Sequence, residues 1–152
     1  MAQENEAQAV FNIEKIYVKD LSVEVPNSPQ IFLEQQDPEI NVELATTAQA
    51  LDNGFYEVVL RATVTAKIGE DRTVFLVEVA QAGIFLIQNV PEAELQPALM
   101  IGGPNILFPY VRETVSSATN RAGFQPVMLS PVNFEALYFS RQQQLAQEAG
   151  NA

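Results

Sequence analysis

Carboxylates are the side chains with the most obvious chemistry here, since 19 Asp and Glu residues stand against 8 Lys and Arg. Asp20 and Glu24 form the most suggestive pair, because strand alternation places them on one face with Ser22 between them. Paired carboxylates can act as general acid and base or hold Mg²⁺, but this spacing along a strand is about 13 Å. The pair is too widely spaced to act on one bond, which leaves a solvated face or a docking surface as its explanation.

Two residue types that carry much of enzyme chemistry are absent, because the chain has neither histidine nor cysteine. Without His there is no triad of nucleophile, His and acid, and the commonest general base at neutral pH is missing. Without Cys there are no disulfides, thiolate nucleophiles or Cys-based metal sites. We therefore expect no catalytic residue, no metal site and no cofactor, and a protein that works by binding.

The segment Gly102-Gly103-Pro104-Asn105 has a superficial likeness to a phosphate-binding loop. It lacks the closing Lys-Ser/Thr pair and the preceding strand that such loops need to cradle a phosphate. We interpret Gly102-Gly103-Pro104 as a helix-breaking turn instead. Because Pro109 is tolerated best in a first turn, the regular helix is predicted to start near Phe108.

The charge balance bears on partners, because the formal net charge is -11 and the pI is near 4.2. A phosphate backbone or an anionic lipid would repel such a surface, so we expect no nucleic-acid partner. The acidity indicates either simple solubility or docking to a basic protein surface. The polar N-terminus does not resemble an export signal, and no apolar run approaches the ~20 residues of a membrane helix. We expect a cytoplasmic protein that does not insert into a membrane.

Alternation of apolar and polar residues predicts four strands before any long helix. They cover roughly residues 10–25, 39–44, 58–68 and 73–88, with bulges near Lys19 and at Gly83. Helical spacing then predicts a main helix that ends at Gly123 and a final helix capped by Asn133. Four strands followed by helices indicate an α+β domain, in which an antiparallel meander carries helices on one face.

Five segments together form a specific pattern. The first is Phe11-x-Ile13-x-Lys15-Ile16-Tyr17-x-Lys19-Asp20-Leu21-Ser22-x-Glu24-x-Pro26-Asn27-x-Pro29, and the others are residues 56–65, Gly83-Ile84-Phe85, Pro104-Asn105-Ile106-Leu107-Phe108-Pro109-Tyr110-x-Arg112-Glu113, and residues 131–137. Their order and spacing hold over roughly residues 10–145. In this pattern the chain resembles the SecB family of bacterial protein-export chaperones.

The resemblance implies an α+β subunit with a four-stranded antiparallel sheet, a long first crossover and two main helices packed on one face. We expect a domain over residues 10–145, a disordered tail over 1–9 and a frayed tail over 146–152. The resemblance also implies a homotetramer built as a dimer of dimers. Such chaperones hold newly made precursor proteins unfolded without ATP and deliver them to the SecA motor ATPase at the inner membrane.

The resemblance further implies two binding surfaces. The SecA-docking residues carried over from the family are Asp20, Glu24, Leu76 and Glu78. The client-binding groove lies beside the second strand, the crossover and the last helix, and its expected residues are Ile31, Phe32, Ile40, Val42, Leu44, Leu137 and Tyr138. In one departure, Gln35-Gln36-Asp37-Pro38 stands where the family commonly has a Trp, so a large apolar wall of the groove is lost.

Three classes of function compete for this sequence. The first is the export chaperone, and the second is a SecB-like chaperone dedicated to a particular partner such as an antitoxin. An enzyme is the least favoured class, because the residues for most chemistry are missing. The acidic docking residues favour export over the dedicated chaperone, and a pull-down of SecA against other partners would separate the two.

Overall fold

Four strands form one antiparallel sheet in the order β1-β4-β3-β2 in a computed structural model that describes residues 8–150. The strands are β1 (Val10–Glu24), β2 (Glu39–Ala50), β3 (Phe55–Ile68) and β4 (Arg72–Gln88). The helices are α1 (Glu92–Pro97), α2 (Gly103–Arg121) and α3 (Phe134–Gly150), with short 3-10 turns at Gln30–Leu33 and Asp52–Gly54. The predicted α+β class is confirmed.

The topology contains the predicted long first crossover. Strands β2, β3 and β4 follow one another as a meander, whereas β1 pairs with β4 on the far side. Residues 25–38 must therefore cross the sheet to carry the chain from β1 to β2. As a result, β1 and β2 are the two edge strands of the sheet, and each has one side without a strand partner among residues 8–150.

Two bulges in β1 explain its irregular alternation. The pairing with β4 shifts between Ile13 and Lys15 and again between Val18 and Asp20, so the predicted bulge near Lys19 is confirmed. Each extra residue shifts the alternation of side chains between the two faces by one position. The apolar residues before and after each bulge therefore lie on the same, helix-side face. The bulge predicted at Gly83 is wrong, because pairing runs through Gly83 without a shift to both neighbours.

Gly83 instead makes room for an aromatic ring. A Cβ at this position would lie 2.8 Å from Cε2 of Phe85, which points to the same face and is fully buried. The core that includes this ring lies between the sheet and α2, and its fully buried members include Phe75, Phe85, Leu60, Leu107, Val111 and Val115. Burial of such side chains contributes roughly 1.5–3 kcal/mol each to folding.

The helix-breaking turn predicted at Gly102-Gly103-Pro104 is wrong. Helical backbone runs from α1 through a π-helical turn (Ala98–Gly102) into α2, with φ of -63° at Gly102 and -57° at Gly103. Gly103 N–H donates to Ala98 O, five residues back, and Pro104 follows where the hydrogen-bond register changes. The start predicted near Phe108 is therefore also wrong, and Pro109 lies inside the helix.

A close contact between helix and sheet explains the glycine at 103. A Cβ on Gly103 would lie 2.8 Å from Cγ1 of Val58, so only glycine lets α2 approach β3 this closely. The sequence signal for a break was thus a signal for close packing. Glycine and proline predict the end of a helix only where tertiary contacts do not favour continuing it.

The predicted end of α2 and start of α3 are confirmed. Gly123 has φ 98°, and Phe124 N–H donates to Thr119 O at 3.1 Å, which closes the helix with a Schellman-type bond. Ala136 N–H donates to Oδ1 of Asn133 at 2.9 Å, which is the predicted N-cap. None of the helices within residues 8–150 is long and apolar enough to span a bilayer.

The expected tails differ from the structure at one end. Helix α3 continues through residues 146–150, where a frayed tail was expected. In the expected N-terminal tail, residues 8 and 9 precede β1 without regular structure, and the carbonyl of Gln8 accepts a hydrogen bond from Asn89 at 3.1 Å. The rest of the two expected tails, residues 1–7 and 151–152, lies outside the described residues.

Candidate functional site

The sheet face that points away from the helices, called the outer face here, collects the four residues expected to dock SecA. Strand pairing places Glu24 opposite Leu76, Ser22 opposite Glu78 and Asp20 opposite Ala80. Directly paired residues of antiparallel strands share one face, so the set forms one contiguous group across β1 and β4. Leu76 is half-buried, and the three acidic side chains are exposed.

The acidic side chains of this group have no cation bound to them. The ion pairs within residues 8–150 are Lys19–Glu57 and Arg72–Glu34, and neither includes a docking residue. Three uncompensated carboxylates around a half-buried leucine form a surface that attracts a basic segment and offers it one apolar contact. This arrangement is suited to bind and orient a partner.

A hydrogen-bonded cluster borders the docking group on the outer face. The Tyr17 hydroxyl donates to one carboxylate oxygen of Glu57, and Lys19 Nζ donates to the other, Oε1, at 2.9 Å. Burial, together with this hydrogen bond, raises the pKa of Tyr17 to about 12. The hydrogen bonds from Tyr17 and Lys19 lower the pKa of Glu57. Sequence reasoning missed the cluster because Glu57 lies on β3, two strands away from β1.

An apolar groove opens on the opposite, helix-side face of the sheet, at the edge formed by β2. Helix α2 packs on β3 and β4, so the helix-side residues of β2 are left partly uncovered. The groove has a volume of about 800 Å³. Its walls are Ile40, Val42 and Leu44 from β2, Phe108 from α2, Leu137 from α3, and the connector between the helices, residues 125–132.

Strand geometry explains why three expected groove residues point the same way. Ile40, Val42 and Leu44 alternate with polar residues along β2 and pair with Ala66, Val64 and Ala62 of β3, whose side chains belong to the core. The groove floor is therefore a continuation of the core surface that no helix covers. Ile40 and Val42 remain 44% and 40% exposed, which leaves them accessible to a ligand.

A smaller recess of about 250 Å³ lies next to the groove, between β2 and α3. Tyr138 lines it together with Met100 of the π-helical turn and Phe134 of α3. Leu44 and Leu137 line both the recess and the groove, so the two spaces are neighbours. The structure thus brings together five of the expected client residues: Ile40, Val42, Leu44, Leu137 and Tyr138.

The two expected residues in the crossover lie elsewhere. Ile31 is buried in the core, where a client could not reach it. Phe32 is exposed, but its ring stacks on Phe124 at 5.0 Å and lines neither space. Gln35 and Gln36, at the position of the missing Trp, are exposed and also line neither space.

The connector was not recognised as part of the groove from sequence. Residues 125–132 follow one wall, and Met128 is 67% exposed there. The available signal was the apolar run Val127-Met128-Leu129 between Pro126 and Pro131, which is unusual for a solvated loop. A flexible thioether beside an apolar groove is well suited to contact varied side chains.

Comparison with known proteins places this arrangement in a family. The family model described as preprotein translocase subunit SecB matches residues 4–145. The chain belongs to the SecB family. The Protein-export protein SecB of Azoarcus sp. is 65% identical over 145 residues, which is 95% of each chain. The Protein-export protein SecB of Chromobacterium violaceum is 62% identical over 152 residues and the full length of both chains.

A solved structure supports the fold independently of close sequence identity. A Mycobacterium tuberculosis SecB-like chaperone, in complex with a ChAD peptide from an antitoxin, superposes with a TM-score of 0.67. The two chains are 20% identical, and the match covers 80% of this chain and 90% of the other. In this SecB-family chain, the outer face and the groove lie on opposite sides of one sheet.

Proposed function

We propose that this SecB-family protein is an ATP-independent chaperone that holds precursor proteins unfolded and delivers them to the SecA motor ATPase for export. The observation that carries the proposal is the exposed apolar groove at the β2 edge, lined by Ile40, Val42, Leu44 and Leu137. An apolar groove of this size suits apolar side chains of another chain. Its opening to solvent suits a ligand much longer than the groove itself.

Weak and tolerant contacts are what a holding chaperone requires. An unfolded precursor exposes many apolar and aromatic segments, and each of them can occupy such a groove with low affinity. When several grooves engage one chain, the second contact forms at a high effective concentration, and overall affinity multiplies without sequence specificity. No nucleotide chemistry is needed for this mode of binding.

SecA docking is proposed at the outer face. The support is the group of uncompensated carboxylates at Asp20, Glu24 and Glu78 around Leu76, which complements a basic segment of the motor protein. Delivery at the inner membrane then occurs through SecA, with the chaperone itself in the cytoplasm. Neither nucleic acid nor direct membrane insertion has a part in this proposal.

A homotetramer, arranged as a dimer of dimers, is part of the same proposal. Its support is an apolar stripe along the edge strand β1, on the helix-side face of the sheet, where the helices cover it only in part. The members of the stripe are between 38% and 50% exposed, and they are Phe11, Ile13, Val18, Leu21 and Val23. Such a stripe beside an unpaired strand edge is typical of a subunit interface.

Native mass measurement tests the proposal directly. The protein alone is expected at the mass of four chains, and addition of an unfolded precursor should give a complex of four chains with one client. Leu137→Ala and Val42→Ala should lower client capture while the four-chain mass persists. Leu145→Ala is the matched control, because Leu145 is exposed on α3 outside the groove. Unchanged capture by both groove variants would contradict the site.

A second candidate function is a chaperone dedicated to one partner. The observation that favours it is the shared fold with the mycobacterial SecB-like chaperone, whose structure contains an antitoxin peptide. A pull-down with this protein distinguishes the two functions: SecA and varied precursors should be retained by an export chaperone. Retention of a single partner without SecA would support the dedicated chaperone instead.

A further inference from the structure

We propose that Glu57 is a positioning residue for the docking surface, because it holds Lys19 in an ion pair away from Asp20 and thereby leaves the docking carboxylates free for a basic segment. The inference rests on the proposed docking of SecA at the outer face. It adds a residue on β3 to a surface otherwise formed by β1 and β4.

Lys19 is the cation of the outer face that lies next to a docking carboxylate in sequence. It precedes Asp20 in sequence at the second bulge of β1, and its side chain lies on the outer face. Opposite charges on one face of a sheet attract each other, and a pair of Lys19 with Asp20 would compete with a basic partner. Here Lys19 instead spans β4 and donates to Glu57 Oε1 at 2.9 Å.

Small residues on β4 make this long reach possible. Ala80 and Ala82 point to the outer face and are buried beneath neighbouring side chains, with Tyr17 packed against them. A larger residue at either position would block the path from β1 to β3. The Tyr17 hydroxyl occupies the second oxygen of Glu57, so both oxygens have a donor and the carboxylate is fixed in place.

Glu57 is suited to hold a cation because it stays charged. Its side chain is only 14% exposed, and its pKa is lowered, first by the hydrogen bond from Tyr17 and then by the one from Lys19. The positive charge of Arg61, also on the outer face, lowers this pKa further. Without the Glu57 charge, Lys19 and Arg61 would have Asp20 and Glu78 among the acidic groups remaining on this face.

The test measures SecA affinity for Glu57→Gln, Lys19→Met and the double variant. Glu57→Gln should weaken docking roughly 5-fold, which corresponds to about 1 kcal/mol. The added Lys19→Met substitution should restore affinity, because it removes the cation that Glu57 no longer holds. Tyr17→Phe removes one of the two donors to Glu57 but keeps the ion pair with Lys19, so it should weaken docking less than Glu57→Gln does. Client binding should stay unchanged in all of them.

The outcomes separate this inference from the docking proposal. If Glu78→Lys weakens docking and Glu57→Gln does not, the positioning role is wrong and the docking face stands. A double variant as weak as Glu57→Gln would also overturn the role, because Glu57 would then act independently of Lys19. No effect of Glu78→Lys would refute the docking face and this inference with it. Glu57→Asp, which shortens the reach, gives a second variant with the same expected rescue if Glu57→Gln does not fold.

Discussion

The outer face and the groove are built from the same strands, yet they differ in almost every physical property. The outer face presents uncompensated carboxylates around one leucine, whereas the groove presents aliphatic side chains and a flexible connector. Strand β2 shows the division most directly, because Glu43 lies on the outer face while the adjacent Val42 and Leu44 line the groove. Strand alternation lets one sheet carry two surfaces that do not interfere.

The difference shows how charge and apolar burial give two surfaces of one small domain different selectivity. Charge complementarity discriminates, because a like-charged or unpaired group across the interface costs free energy. Apolar burial does not discriminate in this way, since it scales with area and depends little on direction. The outer face is therefore suited to a single basic partner, and the groove to many unrelated clients.

The largest expected effect comes from a change that removes both surfaces at once. Leu107 is fully buried between α2 and the sheet, and Leu107→Ala should reduce the free energy of unfolding by about 2–5 kcal/mol. Chemical denaturation measures this, with the exposed Leu145→Ala as a control that should change stability by less than about 0.5 kcal/mol. Docking and client capture should fall together in the core variant. Selective loss of one surface would show that they are not supported by a common core.

The second prediction is that a charge reversal on the outer face affects SecA binding and leaves the groove unaffected. Glu78→Lys should weaken SecA binding by about 10-fold or more, because it places a cation where a basic partner docks, while client capture stays unchanged. Glu14→Lys is the matched control, since this exposed bulge residue of β1 makes the same charge change outside the docking group. Raised salt should weaken SecA binding to the parent protein and hardly affect client binding. An equal loss in both variants would indicate a general charge effect.

Local patterns predicted the elements of this fold well. The alternation from Val58 to Ile68 predicted all of β3 except its first three residues. The cap at Asn133 and the glycine at position 123 correctly predicted the start of α3 and the end of α2. These signals depend on hydrogen bonds and side-chain directions within a few residues. They are readable in sequence because the energies that decide them are local.

Features decided by distant contacts could not be predicted in this way. The glycines at 102 and 103 indicated a break, but the approach of α2 to Val58 keeps them helical. Ile31 was expected in the groove, but packing of the crossover places it in the core. The cluster of Glu57 with Lys19 requires β1 and β3 to lie on either side of β4, and no local pattern contains that arrangement.

The third prediction concerns a variant that should weaken client binding in the groove without changing any residue that lines it. Asn133→Ala removes the hydrogen bond to the N–H of Ala136 and should cost about 1 kcal/mol at the start of α3. Because Leu137 and Tyr138 line the groove and its recess from the first turns of α3, client capture should fall about 2-fold to 5-fold. Gln142→Ala, an exposed change farther along α3, is the control. SecA binding should be the same in the parent protein, Asn133→Ala and Gln142→Ala. Weaker SecA binding by Asn133→Ala would show that the two surfaces depend on each other.

The smallest expected effect is a pH dependence of stability that comes from the Tyr17–Glu57 hydrogen bond on the outer face. The pKa of Glu57 is lowered in the folded protein, so its stabilisation is present above the ordinary value of 4.5 and is lost as pH falls through the folded pKa. The pKa of Tyr17 is raised to about 12, so its stabilisation is present below 10.0 and is lost as pH rises towards 12. The denaturation midpoint should therefore fall less steeply at acid pH in Glu57→Gln than in the parent protein. In Tyr17→Phe it should fall less steeply at alkaline pH. If the midpoints of both variants depend on pH as those of the parent protein do, the Tyr17–Glu57–Lys19 cluster does not persist in solution. The positioning role proposed for Glu57 would then be wrong.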